Sequence, residues 1–419
     1  MKRTGLLFFG VITLLFIVTM ASCTSEDGDV VYMLPGRKYI QLSEEQKQMR
    51  DNNNEFAWRL FQTMQELKGD SSTVLSPISV TYLLGMLNAG AAGTTRDEIT
   101  NVLGFGNDPE AVNEYCKKMI DEAPNVDPAA TVKIANSIYV NSTWGLSLLK
   151  QYVNDMKNYY NAQIDALDFT KSSTLDKINS WCSKNTNGMI PSILDEINPS
   201  AAMYLLNAIY FNADWTEKFD VNDTRNSSFT LPDGSIVTQP LMHRKAIAQV
   251  CESDLCSMLR IPFGSSAYSM YVMLTAEDKT TSELIQEMSQ QSLTDHLNAV
   301  NMTAHVVDIL MPKFEIVSNI NLIDVLQPMG INSAFTTSAD FSNMSNTRLY
   351  VSMMRQKAKI EVNEEGAKAS AVSIAEMDVV SAGPEEYQKS EFHATRPFLY
   401  FILEESTHSI FFIGTYCGN

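Results

Sequence analysis

The chain has 419 residues and a formal charge of −18, with a sequence pI near 4.7. It is 45% hydrophobic and 19% charged, the balance of a globular protein with a large core. Acidity on this scale argues against binding nucleic acid, which needs basic patches facing phosphates.

In chain order, "MKRTGLLFFGVITLLFIVTMASC" starts with Lys2 and Arg3, runs apolar from Gly5 to Met20, and ends on Ala21, Ser22 and Cys23. The apolar run is shorter than the roughly 20 residues a spanning helix needs, so residues 1–22 are predicted to be an export signal. Cys23 after two small residues resembles the lipobox of bacterial lipoproteins, with Met20 where Leu is commoner. The resemblance implies a diacylglycerol on the Cys23 thiol, which becomes the new N-terminus. At about 0.8 kcal/mol per buried methylene, more than one acyl chain anchors a protein firmly. The acidic "TSEDGD" that follows resembles the surface-export tags of Bacteroidetes lipoproteins. The expectation is an outer-membrane lipoprotein of the bacterial cell envelope, exposed at the surface. The plainer alternative is a cleaved secretory signal with an incidental cysteine.

Loss of residues 1–22 removes Lys2, Arg3 and no acid, taking the charge from −18 to −20. Cys116, Cys182, Cys251, Cys256 and Cys417 remain. An odd number cannot all pair internally, and no CxxC or Cys/His cluster predicts a metal site. Most fit as small core residues, and a Cys251–Cys256 bridge stays open.

Residues 24–45 are polar and aperiodic, so 23–48 is assigned to the lipidated cysteine and a tether, and 49–419 to one domain. Phe56, Ala57, Leu60, Phe61, Met64 and Leu67 form one helical stripe. Ser76-Pro77 suits a capped helix start. After the small-residue break "AGAAGTT", "TTRDEITNVLGF" opens a second capped helix. "TVKIANSIYV", "AAMYLLNAIYF", "MLRIPFGSSAYSMYVML", "HVVDILMPKFEI" and "RPFLYFILEESTHSIFFIGTY" are strand-like, and "TLPDGSIVTQPLM" carries a hairpin turn. Helices early and strands late predict an α+β fold.

Enzyme signatures are missing: there is no GxSxG, P-loop, GxGxxG or HExxH. His243, His296, His305, His393 and His408 lie scattered without ligand spacing. Glu364-Glu365 and Glu385-Glu386 are adjacent pairs that would face opposite ways in a strand. The segment after Gly366 is different. Ala367, Ala369, Ala371, Ser373 and Ala375 alternate with Lys368, Ser370, Val372, Ile374 and Glu376, the period of a strand with one small, buried face. It then runs into "SAGPEEYQKSE", which has the character of an exposed loop.

Six stretches together resemble the serpin family. They are "LSPISVTYLLGMLNAGAAGTTRDEI", "INSWCSKNTNGMIPSIL", "LLNAIYFNADW", "LMPKFEI", "KIEVNEEGAKASA" and "FHATRPFLYFI", in family order from about Asp51 to Asn419. The resemblance implies about nine helices around three β-sheets and an exposed reactive-centre loop at about 364–395. It implies no catalytic activity, cofactor or metal. The function implied is that of a serine-type endopeptidase inhibitor acting as a suicide substrate, whose bait loop inserts into the central sheet after cleavage. A non-inhibitory serpin that serves as a cell-surface binding or carrier module is the alternative.

Carried over by position, Gly366, Ala367, Ala369, Ala371 and Ser373 are the hinge, and Gly366 supplies backbone freedom. The attacked residue lies fourteen past Gly366, making Val380-Ser381 the reactive bond. Small bait residues imply elastase-like or subtilisin-like proteases, with cysteine proteases as a further class. The absence of Arg and Lys from Ala369 to Tyr387 disfavours trypsin-like targets. Ser76, Ser79, Asn207 and Gln356 fall at the family's shutter, where Gln356 replaces the usual His. Lys313, Glu364 and Trp215 fall where the loop enters the sheet. A monomer is implied, with the membrane reached through the lipid anchor.

Overall fold

The structure is a computed structural model that describes residues 36–106, 108–277, 279–288, 303–367 and 387–418. Cys23, Ala369, Ala371, Ser373, Val380 and Ser381 lie outside the described residues.

The N-terminal part is rich in helix: α1 (Glu44–Lys68), α2 (Pro77–Gly90), α3 (Gly93–Leu103), α4 (Pro109–Glu122), α5 (Lys150–Tyr160) and α6 (Ser172–Asn185), with α7 (Thr281–Met288) and α8 (Leu322–Met329) later. Ser43 caps α1 through a reciprocal pair with Gln46. The domain extends further back than expected. Lys38 N donates to Val126 O, Ile40 N donates to Ser406 Oγ, and α1 occupies part of the proposed tether. In the α1 stripe Leu67 is 57% exposed, because the helix outruns the core at its last turn.

Ser76 occupies the cap position of α2 without accepting from a first-turn amide, and its hydroxyl pairs with Ser79 Oγ of that turn instead. α3 has Ala92 at its cap position, and Thr95 Oγ1 is used by Ser333 and Asp340. Neither predicted side chain therefore caps its helix: Ser76 is taken by a local hydroxyl pair and Thr95 by tertiary hydrogen bonds. The one-sided burial rule fails for α2, which is covered nearly all round and lies in the centre of the core.

Among the described residues there are fifteen strands, twelve of them after α6 as the late-strand pattern predicts: β1 (Thr73–Leu75), β2 (Ala130–Asn141), β3 (Gln163–Leu167), β4 (Met203–Asp214), β5 (Arg225–Thr230), β6 (Ile236–Glu252), β7 (Cys256–Phe263), β8 (Tyr268–Thr275), β9 (Thr303–Pro312), β10 (Phe314–Asn321), β11 (Arg355–Val362), β12 (Gly366–Ala367), β13 (Lys389–His393), β14 (Phe398–Glu404) and β15 (Ser409–Tyr416). The fold is α+β. Among the described residues hydrogen bonding joins the strands into two networks where three sheets were expected. The long β6 pairs with β9 along Leu241–Val250 and with β7 from Gln249, which fuses two sheets into a nine-stranded one. The other network runs β10-β11-β12-β4-β2-β3.

On one face of the six-stranded sheet, α6 packs Ile178, Trp181 and Cys182 against Leu206 and Ala208 of β4. Cys116, Cys182, Cys251, Cys256 and Cys417 are all free thiols, so the Cys251–Cys256 bridge is not formed.

Candidate functional site

The site is built where the chain leaves β11 and turns back into the same sheet. Asn363 Oδ1 accepts from Glu365 N (2.9 Å) and Gly366 N (3.2 Å), closing a tight turn. The chain then becomes β12, a two-residue strand between β11 and β4. Ala367 lies opposite Val362 on one side and Ala213 on the other. The hinge is therefore partly inside the sheet already, with Ala367 only 3% exposed. Among the described strand pairs none joins β4 directly to β11.

Glycine is required at 366. Its φ is +152°, and a Cβ there would stand 2.6 Å from Asp214 Cα and 2.8 Å from Trp215 N, with Ala213 O closer still. All three obstacles are backbone, so no rotamer change could relieve them.

The turn is fastened to the end of β4. Trp215 N donates to Glu365 O (2.8 Å), Trp215 Nε1 to Asn363 O (2.9 Å) and Phe219 N to Glu364 O (2.9 Å). The Trp215 ring stacks on Phe263 at 4.4 Å, fixing the indole that makes one of these bonds. Glu364 is buried and accepts from Thr224 Oγ1 (2.8 Å) and Lys313 Nζ (3.1 Å). Burial works against its charge, but bonds from its own amide, Thr224 and Lys313 together hold its carboxyl below the usual range. Its stabilising contribution is thus complete above the ordinary carboxylate range and fades as the pH falls through its lowered value.

Directly beneath Ala367 a small pocket is lined by Phe211 of β4 and Lys359, Ile360 and Glu361 of β11, with Met189, Ile402 and Phe412 around it. Lower down, Asn207 and Gln356 border the same line from opposite sides. Gln356 takes Ser76 N (2.9 Å) on Oε1 and donates Nε2 to Ser76 O (2.8 Å). A side-chain amide thus pairs with both backbone polar atoms of one buried residue, which unpaired would cost roughly 1–3 kcal/mol each. Asn207 Nδ2 turns the other way, to Asn136 Oδ1 (2.8 Å), whose own Nδ2 donates to Tyr160 O (2.7 Å). Among the described hydrogen bonds none joins Asn207 to Gln356. Each border is tied to a different block, β11 to the start of α2 and β4 to β2 and α5.

Sequence reasoning missed Asn136, Asn363 and Thr224. A signal for the first was present: Asn136-Ser-Ile-Tyr and Asn207-Ala-Ile-Tyr share a pattern, and the register sets the two asparagines directly opposite. Among the described residues no cluster of His, Cys, Asp or Glu is arranged to hold a metal.

Residues 51–418 match the Serpin (serine protease inhibitor) family. Serpin B3 of Homo sapiens is 30% identical over 391 residues, covering 88% of this chain and 98% of its own. The native-state structure of the thermophilic serpin tengpin superimposes with a TM-score of 0.79 at 28% identity, covering 91% of this chain and 96% of tengpin. Human thyroxine-binding globulin gives 0.79 at 27% identity, over 88% and 98%.

Proposed function

Because this chain belongs to the serpin family of serine protease inhibitors, we propose that it inhibits a serine protease by being attacked as a substrate and then swallowing its own cut loop. The protease serine Oγ adds to the Val380 carbonyl, and the Val380–Ser381 C–N bond breaks. Ser381 leaves with a free amine, and Val380 stays as an ester on the protease. Insertion of the upstream piece as a strand then drags the ester-linked protease and deforms its active site before water can attack. Strand addition and release of stored strain are general devices of this kind.

One observation carries the reading: β12 already begins a strand between β11 and β4. Continuing its pairing residue for residue would set Ala369 between Phe211 and Ile360, and Ala371 between Ile209 and Ala358. Ser373 would fall between Asn207 and Gln356, and Ala375 between Leu205 and Met354. All eight flanking residues are buried, so only small side chains fit. Ser373, the one polar member of that face, would meet the one polar pair. On the other face Lys368 and Ser370 come first. Val372 and Ile374 would then lie beside Ala208 and Leu206, where α6 covers the sheet. A loop that only had to stay exposed has no use for this match.

The bait residues Val379, Val380, Ser381 and Ala382 suit the shallow pocket of an elastase-like or subtilisin-like protease. Incubation with pancreatic elastase is expected to give a covalent complex that survives a denaturing gel, and a released fragment starting at or near Ser381. Complete cleavage with no such complex would sink inhibition. The carrier reading, which the similarity to thyroxine-binding globulin favours, would then take its place.

We also propose that Cys23 carries the lipid that holds the domain at the cell envelope. Radiolabelled palmitate is expected to mark the wild-type protein and not Cys23→Ala. Label retained in that variant would remove the anchor.

A further inference from the structure

Three of the five histidines meet at one edge of the nine-stranded sheet. Among the described strands β13 is at the edge and pairs, in parallel, with β9 alone, from Lys389 opposite Val306 to His393 opposite Leu310. In sequence it follows directly on the proposed bait segment. Side chains secure it on both faces. On one, His305 Nδ1 lies 2.6 Å from Ser390 Oγ and its Nε2 2.8 Å from Thr303 Oγ1. On the other, Asp308 bridges two strands: its Oδ1 is 3.0 Å from His243 Nε2 of β6, and its Oδ2 is 3.0 Å from His393 Nε2 of β13.

We propose that His243, Asp308 and His393 form a clasp that fastens β13 to the sheet and grips it more tightly in acid than in alkali. An ionised carboxylate only accepts, so each imidazole must carry its proton on Nε2. A second proton goes to Nδ1. It leaves both bonds in place, adds positive charge, and turns two neutral hydrogen bonds into charge-assisted ones. Histidine is the side chain that makes this change between about pH 8 and pH 5.

Asp308 is held below the usual carboxylate range by the bonds from His243 and His393, so it remains an anion while they charge. The neighbouring charges are set by strand register. Glu391 of β13 and Lys245 of β6 both lie opposite Asp308. Lys389 lies two residues before Glu391, and Arg225 of β5 lies opposite Leu241, two residues before His243. Glu391 favours charged imidazoles, whereas Lys245, Lys389 and Arg225 oppose them. His305 faces only the hydroxyls of Ser390 and Thr303 through its two ring nitrogens, and these can donate or accept.

The clasp does not depend on protease inhibition. Only its consequence does: the downstream end of the loop is the fixed end. Amide hydrogen exchange on the full chain, corrected for the intrinsic effect of pH, tests it. Because the clasp is partly exposed, protection of Lys389–His393 is expected to fall only about two- to tenfold from about pH 5.5 to about pH 8. The amides of β8 and β14 should not follow. Asp308→Asn should flatten the difference, and His243→Gln and His393→Gln should each remove part of it. Equal protection at the two pH values, a slope surviving in Asp308→Asn, or a slope lost in His305→Gln overturns the clasp.

Discussion

Protein cut once within residues 368–386 is expected to melt about 20 °C above the intact protein. Roughly ten new ladder hydrogen bonds, each worth about 0.5–1.5 kcal/mol net, would form if the severed segment continued β12 down the line between β4 and β11. Burial of its small face adds about 25 cal/mol per Å². The sum is on the order of 10 kcal/mol, comparable with the whole stability of an ordinary domain. The route is narrow at present, since the pocket below Ala367 is small and lined by Phe211 and Ile360. The two borders must part first. Their polar groups point away from each other, Gln356 to Ser76 and Asn207 to Asn136. Parting therefore breaks none of these side-chain bonds. Scanning calorimetry on intact and nicked samples decides the matter, and coincident transitions would mean that no insertion follows the cut.

Gly366→Val should have the second largest effect. The substitution forces a branched side chain into a +152° φ and onto the backbone of Ala213, Asp214 and Trp215. Strain of this kind costs about 1–3 kcal/mol, so the Tm of the intact protein should drop by about 3–10 °C. The larger consequence is functional. With β12 expelled, the first pairing that would guide the loop is lost, and elastase should cleave the variant without being trapped. Unaltered complex yield with Gly366→Val would show that β12 is incidental to trapping. Ala367→Gly, which keeps the backbone path and removes only a methyl, should retain most of the yield and so separates loss of register from loss of packing.

Much of the fold was legible in the residues because local periodicity was strong. β2, β4, β7 to β10, β14 and β15 all arise where alternating or aromatic-rich runs predict strands. The helix starts were less secure. Ser76 and the Thr94-Thr95 pair have the residue types of caps, yet the Ser79 hydroxyl claimed Ser76, a tertiary partner claimed Thr95, and Ala92 holds the cap position of α3. Propensity says which residues can cap, whereas competition among hydrogen-bond acceptors says which do.

The candidate site divides along the same line. Its small-residue alternation and its glycine are properties of single positions and their neighbours in sequence, so the chain alone announced a strand without a visible partner. What that strand would lie against is another matter. That Ala367 faces Val362 and Ala213, that Asn207 bonds Asn136, and that Gln356 grips the Ser76 peptide follow from register between distant strands. Histidines that look scattered along the chain illustrate it best. His243, His305 and His393 are separated by more than 60 residues at each step, and only the pairing of β6, β9 and β13 gathers them. Sequence by itself determined the class of fold and the alternation of the segment after Gly366, because both depend on short-range pattern. The tertiary structure decided which side chains meet, because sheet register is set by burial and hydrogen bonding summed over whole strands.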